Sequence, residues 1–239
     1  MAGSEEEKKP RVTVIIPTMN EEESIGEVLD RIPRDFADVE VMIVDTNSKD
    51  RTREIARSKG AIVVDEPRRG YGRAYKTGFA HARGDVIVTL DGDTTYPPEV
   101  IPDLVKTLYD EDLDFITTDR LSMMEPGAMS FGHRFGNWVL AATTRLLFRI
   151  PLKDSQSGMW VFRRSILEDL ELTSDEMAFS EEIKIEAWKK GFRCKEVPIR
   201  YSSRKGEVKL NTWRDGLNNL FFLFKKRFGK TGKPEKFNV

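Results

Sequence analysis

Residues Val86-Ile87-Val88-Thr89-Leu90 run without a break into Asp91-Gly92-Asp93. A continuous apolar and β-branched run of this kind matches a strand buried on both faces, as in a parallel sheet. The chain then turns at once from apolar to doubly acidic. In open parallel sheets, ligands sit beyond the carboxyl ends of the strands. The stretch therefore predicts a site at Asp91 and Asp93. Upstream, Val12–Ile16 has the same character, Val39–Val44 is a second buried strand ending in Asp45, and Ala61–Val64 is a shorter third. Between them lie helical patterns: Ile25, Val28, Leu29 and Ile32; Asp50–Lys59, stopped by Gly60; and Gly70–Arg83. Asn20 with Glu23 three residues later has the form of a capping box. Strands alternating with helices predict right-handed βαβ units. The expected fold is α/β and Rossmann-like, with a mostly parallel central sheet flanked by helices. Asn20, Glu21 and Asp45 follow the first two strands, so they fall at the same sheet edge as Asp91 and Asp93.

The second half is less regular. Pro98–Tyr109, Arg134–Phe148, Glu181–Lys190 and Asn211–Phe228 have helical patterns, and Phe115–Thr118 and Arg193–Tyr201 are strand-like. The division expected is a disordered tail over residues 1–10, one catalytic domain over 11–210, and an amphipathic basic helix and tail over 211–239.

Composition excludes several classes of function. The chain has 39 Lys+Arg against 40 Asp+Glu, a formal net charge of -1, so no bulk basic field for nucleic acid exists. One cysteine, Cys194, excludes an intrachain disulfide framework, and with two histidines a multi-Cys or multi-His metal site is excluded too. No run of 18 or more apolar residues spans a membrane, and the first residues do not form a secretory signal. A soluble, cytoplasmic protein is the expectation.

Two carboxylates one residue apart at a strand end can both approach a hard cation. Mg²⁺ or Mn²⁺ takes oxygen ligands and commonly shares one or two carboxylates with substrate phosphates. Gly92 between them lets a phosphate approach the backbone. The competing reading is an acidic turn. Asp45 is placed to accept hydrogen bonds from a base or ribose, as acids do in other α/β nucleotide sites. Capping of the following helix by Ser48 or Asp50 is the structural alternative, and Asp50 is better read as a cap. Arg68-Arg69-Gly70-Tyr71-Gly72-Arg73-Ala74 is basic and glycine-rich ahead of a helix, where backbone N–H groups favour anions; an ordinary loop is the alternative.

Taken together, Val14-Ile15-Ile16-Pro17-Thr18-Met19-Asn20-Glu21, Val44–Thr52, Gly70–Ala74 and Asp91-Gly92-Asp93 resemble family 2 glycosyltransferases of the GT-A fold. Asp154-Ser155-Gln156-Ser157-Gly158-Met159, Val197–Tyr201 and Arg204-Lys205-Gly206-Glu207-Val208-Lys209-Leu210 are similar to the dolichyl-phosphate mannosyltransferase branch, which also holds glucosyl and N-acetylglucosaminyl relatives. The resemblance runs from about Arg11 to Leu210. It implies a metal-dependent, inverting transfer of a hexose from GDP-mannose or a UDP-sugar to dolichyl or another polyprenyl phosphate, feeding protein glycosylation or glycolipid synthesis. Pro17, Asn20, Glu21, Asp45, Gly70 and Gly92 then belong to the nucleotide-sugar site. Asp91 and Asp93 would hold Mg²⁺ or Mn²⁺, Asp93 as principal ligand. Mannosyltransferases of this branch usually carry Gln two residues after the second Asp. This chain has Thr95 there, which departs from the mannose pattern.

A phosphate acceptor also makes chemical sense. A sugar hydroxyl needs a general base, whereas a phosphate monoester is already largely anionic at neutral pH. It needs positioning and charge neutralisation, which the arginine fork supplies. The resemblance assigns Arg120, Arg134 and Arg204 to the acceptor phosphate, with Ser157 and Lys209 as further contacts; Arg204 is grouped with Asp91 and Asp93 as catalytic. Glu181 and Glu182 fall where other family 2 enzymes carry a catalytic acid, and are kept as acceptor-side or structural residues. Leu217, Leu220, Phe221, Phe224 and Phe228 recur at helical spacing, followed by Lys225, Lys226, Arg227, Lys230 and Lys233. Such a helix suits an anionic membrane surface, making the protein peripheral on the cytoplasmic face; core packing of the phenylalanines is the alternative. The different class of function still open is a non-catalytic nucleotide-binding module of a membrane complex.

Overall fold

The computed structural model describes residues 10–205, 212–229 and 231–237. The expected tail over Met1–Lys9, and Lys209 with its neighbours Gly206–Leu210, lie outside the described residues. Strands β1 (Arg11–Thr18), β2 (Asp38–Asp45), β3 (Ile62–Asp65) and β4 (Val86–Thr89) alternate with helices α1 (Ile25–Arg31), α2 (Thr52–Ser58) and α3 (Tyr71–His81). Helix α4 (Ile101–Asp110) and strand β5 (Phe115–Met124) follow. Next come α5 (Phe131–Phe148), β6 (Trp160–Arg163), α6 (Phe179–Lys189), β7 (Cys194–Tyr201) and α7 (Thr212–Phe228). The seven strands form one sheet in the order β3-β2-β1-β4-β6-β5-β7. Only β6 runs antiparallel to its neighbours, β4 and β5. The fold is α/β, with a mostly parallel sheet flanked by helices.

Side-chain alternation explains the two layers. On β1, Val12, Val14 and Ile16 enter one core with Val28 and Leu29 of α1 and Leu104 and Leu108 of α4. Ile15 points the other way, joining Tyr75 and Phe79 of α3 and Phe179 and Ile183 of α6. A third cluster, Leu140, Ile150, Leu152, Ile185 and Leu223, joins α5, α6 and α7.

Two local expectations change. Asn20 does not cap α1; its backbone bends to φ 55°, its N–H donates to Ser48 Oγ (2.8 Å), and its Oδ1 accepts from Lys49 N (2.7 Å). Both groups being taken, the helix begins later, after Ser24. Residues 160–163, which the sequence pattern did not mark, form β6 between β4 and β5.

Helix α7 has two faces. Asn219, Leu223 and Lys226 recur at helical spacing and are buried side chains. Leu217, Phe221, Phe224 and Phe228 form the opposite, exposed stripe. Some of the apolar spacing in this helix is thus core packing, through Leu220 and Leu223, and the phenylalanines named in the sequence pattern are the exposed part.

Candidate active site

The carboxyl ends of β1, β2 and β4 open on a cavity of about 340 Å³. Pro17, Glu21, Gly70, Asp91, Gly92 and Arg204 line it, with Arg69, Tyr71, Glu176, Met177 and Asp215. Strand β4 ends at Thr89, so Asp91 and Asp93 fall in the turn beyond its last paired residue. Asp91 Oδ1 accepts from Tyr71 OH (3.2 Å). Burial, joined by the charge of Asp93, pushes the Asp91 pKa up to about 7, against the opposing charges of Arg120 and Arg204. Asp93 Oδ1 accepts from Thr95 N (3.1 Å) and Thr95 Oγ1 (2.6 Å). Thr95 therefore orients one oxygen of Asp93 and leaves the other toward Arg204, whose Nη1 lies 3.5 Å from Oδ2. The same guanidinium reaches Glu21 Oε1 through Nη2 at 3.4 Å.

Arg204 arrives from the far end of the chain because the segment after β7 hydrogen-bonds along the acidic turn. Ser202 N donates to Thr95 O (3.1 Å) and Lys205 N to Asp93 O (3.1 Å). The 154–158 segment closes another side. Gly158 N donates to Tyr96 OH (2.7 Å). A Cβ on Gly158 would lie 2.2 Å from Tyr71 OH and 3.3 Å from Asp91 Oδ1, so a larger residue would displace the hydroxyl that donates to this acid. Gly92, by contrast, has ordinary room: a Cβ there would meet Thr18 Cγ2 at 3.4 Å.

The glycines of the Arg68–Ala74 loop serve packing. Gly70 has φ 139°, and a Cβ on it would lie 2.3 Å from Asp175 O. On Gly72 it would lie 2.6 Å from Ser174 O. Arg68 pairs with Glu66 (2.6 Å), and Arg73 with Asp175 (2.7 Å). Arg69 is the basic residue of the loop that lines the cavity.

The remaining sequence-derived residues sit behind or away from this surface. Asp45 is fully buried; it accepts from Thr18 Oγ1 (3.0 Å), Ser48 N (3.0 Å) and Ser48 Oγ (2.5 Å). Its neighbour Thr46 lines the cavity instead. Asn20 ties the first loop to the second, as described. The N-cap of α2 is Arg51, and Asp50 stands one residue before it, accepting from Thr52 N (3.0 Å). Arg120 is buried, and its Nε (2.7 Å) and Nη2 (2.9 Å) both donate to Asp154. Ser157 Oγ hydrogen-bonds Thr118 Oγ1 (2.6 Å). Arg134 stands in the first turn of α5 and is not among the cavity residues. Tyr71, Gly158, Arg69, Glu176, Met177 and Asp215 were not assigned from sequence. Tyr71 and Gly158 both sit in motifs that were legible, and their glycine context was the available signal.

A family model, Glycosyl transferase family 2, matches residues 13–171. The chain belongs to glycosyltransferase family 2. Among its family 2 relatives, a Haloferax volcanii protein named dolichyl-phosphate hexose transferase is 37% identical over 210 residues, covering 86% of this chain and 89% of that protein. The low-salt glycan biosynthesis hexosyltransferase Agl6 of the same organism is 35% identical over 219 residues, 90% of this chain. This chain spans about half of Agl6, 53% of its length. The dolichol-phosphate mannosyltransferase of Pyrococcus furiosus is 30% identical over 250 residues, covering 96% of this chain and 68% of that one. Glucosyl-3-phosphoglycerate synthase from Mycobacterium tuberculosis, solved with Mn²⁺, uridine diphosphate and glucosyl-3-phosphoglycerate, superposes with a TM-score of 0.74 at 22% identity. That match covers 95% of this chain and 81% of the synthase, and the shared fold is GT-A.

Proposed function

We propose that this family 2 glycosyltransferase moves a hexose from a nucleotide sugar to dolichyl or another polyprenyl phosphate, with inversion. The observation that carries the reading is Arg204 against Asp93 and Glu21 at the cavity that Asp91 also lines. On this reading Asp91, at the cavity, and Asp93, which touches Arg204 but is not among the lining residues, serve the donor diphosphate, and Arg204 serves the anionic acceptor. The names of the Haloferax and Pyrococcus relatives support the same acceptor class.

The donor set suits a divalent ion shared with substrate. Burial, joined by the neighbouring charge of Asp93, raises the cost of ionising Asp91, as its upward shift expresses, and a cation relieves it. Among the described residues no cluster of three or more His, Cys, Asp or Glu forms a complete cage, so the other ligands would be donor phosphate oxygens. When bound, Mg²⁺ or Mn²⁺ would supply charge stabilisation to the departing nucleoside diphosphate. Asp91 and Asp93 would hold it. Thr95 keeps Asp93 oriented, and Tyr71 does the same for Asp91. Arg204 would hold the acceptor phosphate, whose oxygen attacks the anomeric carbon from behind while the bond to the diphosphate oxygen breaks. The sugar passes through oxocarbenium character. Arg134, at the start of α5, is a second candidate for the acceptor side. Arg120 acts through Asp154 on the segment that carries Ser157 and Gly158. The decisive test is a donor screen with dolichyl phosphate in detergent, comparing GDP-mannose, UDP-glucose and UDP-N-acetylglucosamine, with and without Mn²⁺. One donor is expected to give a glycolipid and release nucleoside diphosphate only with the metal. Absence of lipid product from every donor, or release of pyrophosphate instead, overturns the reading.

Such an acceptor requires contact with a bilayer. No described helix is long and apolar enough to cross one. Helices α5 and α7 pack together, yet Phe131, Trp138 and Leu146 of α5 and Leu217, Phe221 and Phe228 of α7 stay exposed, Phe131 at 82% and Phe221 at 72%. Burying one such side chain stabilises by about 1.5–3 kcal/mol. The proposal therefore includes peripheral attachment at the cytoplasmic membrane face, and these exposed side chains support α5 and α7 as its site. The triple variant L217S/F221S/F228S is expected to lose at least about tenfold in flotation with anionic liposomes; equal flotation of both proteins would remove the role of α7.

A further inference from the structure

Helix α6 buries an unusual amount of charge: Glu181, Glu182, Lys184 and Glu186 are all at most 1% exposed. Glu182 is one of the two glutamates that the resemblance places where other family 2 enzymes carry a catalytic acid, and its oxygens are engaged within the protein. Oε2 accepts from Thr173 N (2.9 Å) and Ser174 N (2.7 Å). Oε1 accepts from Thr173 Oγ1 (2.7 Å) and from Lys226 Nζ (2.8 Å). Both oxygens are thus doubly engaged inside the protein, with none left toward the cavity.

We infer that Glu182 and Lys226 form a buried bracket that positions two walls of the active-site cavity. The first wall is the 173–177 segment. Thr173 and Ser174 hang from Glu182, Asp175 pairs with Arg73 (2.7 Å) and Lys76 (2.6 Å), and Glu176 and Met177 face the cavity. The second wall is α7. Lys226 enters from that helix with a side chain 4% exposed, pairing also with Glu186 (2.9 Å) and donating to Glu171 O (3.2 Å). One turn after another along the same face, Leu223 is buried, Asn219 Nδ2 donates to Gln156 Oε1 (2.8 Å), and Asp215 reaches the cavity. Gln156 in turn donates to Glu181. Lys226 therefore pairs with two buried carboxylates, Glu186 being shared with Lys189 (3.2 Å), and holds in register the helix that delivers Asp215. Glu182 and Lys226 are positioning residues; neither lies among the cavity residues.

The inference rests on the proposed transfer only for its kinetic readout. Lys226→Met, Lys226→Arg, Thr173→Val and, as a distant control, Lys106→Met would be compared by amide exchange of the unliganded protein and by transfer kinetics with the donor selected in the screen. K226M is expected to speed exchange at Thr173 and Ser174 about tenfold, because their acceptor, the Glu182 carboxylate, loses the counter-ion that fixes it. It is expected to raise the donor KM about tenfold with kcat within about threefold, the pattern of a displaced binding wall. K226R should restore both, and K106M should match wild type. T173V, which removes one hydroxyl from a loop, keeps the test available if K226M folds poorly; it should raise exchange at Ser174 and the KM in the same direction. Unchanged exchange at 173–174 in K226M and T173V overturns the bracket whether or not transfer is observed. A fall in kcat at constant KM overturns the positioning role and leaves ordinary stabilisation. Absence of transfer by wild type would count against the proposed function alone, with exchange still deciding the bracket.

Discussion

Replacing Arg120 by methionine is expected to destabilise the protein by about 3–5 kcal/mol, because it leaves the Asp154 carboxylate buried without its bidentate partner. Asp154 is fully buried, and Arg120 offers it Nε at 2.7 Å, Nη2 at 2.9 Å and its backbone N–H at 3.1 Å. Burial alone would raise this carboxyl; the charge and hydrogen bonds of Arg120, with help from Lys184, outweigh it and hold the group below the usual carboxylate range. In wild type the folded pKa is depressed, so the stabilisation is present above the unfolded value of about 4 and is lost as pH falls through the lower folded value. In R120M the sign reverses. Burial then dominates, the folded pKa rises above the unfolded one, and destabilisation grows as pH rises from about 4. Lys184 moderates the loss. Its ammonium donates to the carbonyls of Asp154 (3.2 Å), Ser155 (2.8 Å) and Ser157 (2.8 Å). Burial pulls its pKa down to about 7, with Arg120 pushing the same way. Removing Arg120 makes Lys184 a better cation for Asp154, so the lower end of the range is expected. Urea midpoints at acidic and alkaline pH, with D154N/R120M alongside, check this. The double variant should recover part of the loss; an R120M cost below about 1 kcal/mol, or one independent of pH, contradicts the argument.

That pair also shows where sequence reading stops. The apolar runs of β1, β2 and β4 are legible because strands buried on both faces are nearly all apolar, broken by Thr13 in β1 and by Glu40 near the start of β2. The acidic turn was legible for the complementary reason: a charged pair directly after such a strand can only sit at the sheet edge. Strand β6 was not, because residues 160–163 are a strand only by insertion between β4 and β5, a tertiary event. The arrival of Arg204 at Asp93 depends on hydrogen bonds from Ser202 and Lys205 to the acidic turn, made across the whole length of the catalytic region. Helix α6 misleads more deeply. Its charges have the composition of a solvated face, yet the counter-ion that makes burial tolerable, Lys226, stands on α7. Charge patterning within one helix carries no information about a partner supplied by another. The resemblance assigns Arg120 to the acceptor phosphate, yet its fork is taken by Asp154, a residue of a separate motif.

Asp93→Asn is expected to lower metal-dependent transfer by about 10³-fold or more while leaving the fold intact, since loss of several kcal/mol of charge stabilisation at the leaving group scales to that factor. The substitution is conservative for structure. Asn Oδ1 can still accept from Thr95 N and Thr95 Oγ1, now at 3.1 and 2.6 Å, and the backbone carbonyl still accepts from Lys205 N (3.1 Å). What it removes is one full negative charge facing Arg204 and adjacent to Asp91. Two consequences separate this electrostatic account from a general loss of shape. Binding of Mn²⁺ in the presence of nucleoside diphosphate, followed by electron paramagnetic resonance, should weaken in step with turnover. The Asp91 carboxyl, relieved of its like-charged neighbour, should titrate below the value of about 7 that it has beside Asp93. Its burial and the pull of Arg120 and Arg204 remain, so the shift reports the removed charge alone. The companion variant Thr95→Val tests orientation rather than charge. It keeps both carboxylates but frees Asp93 Oδ1 from its hydroxyl donor, and a smaller loss, of about tenfold, is expected. D93N with near-wild-type turnover and unchanged Mn²⁺ binding would place the metal and the leaving group elsewhere. Equal losses in D93N and T95V would mean that the geometry of the turn, and not its charge, limits the reaction.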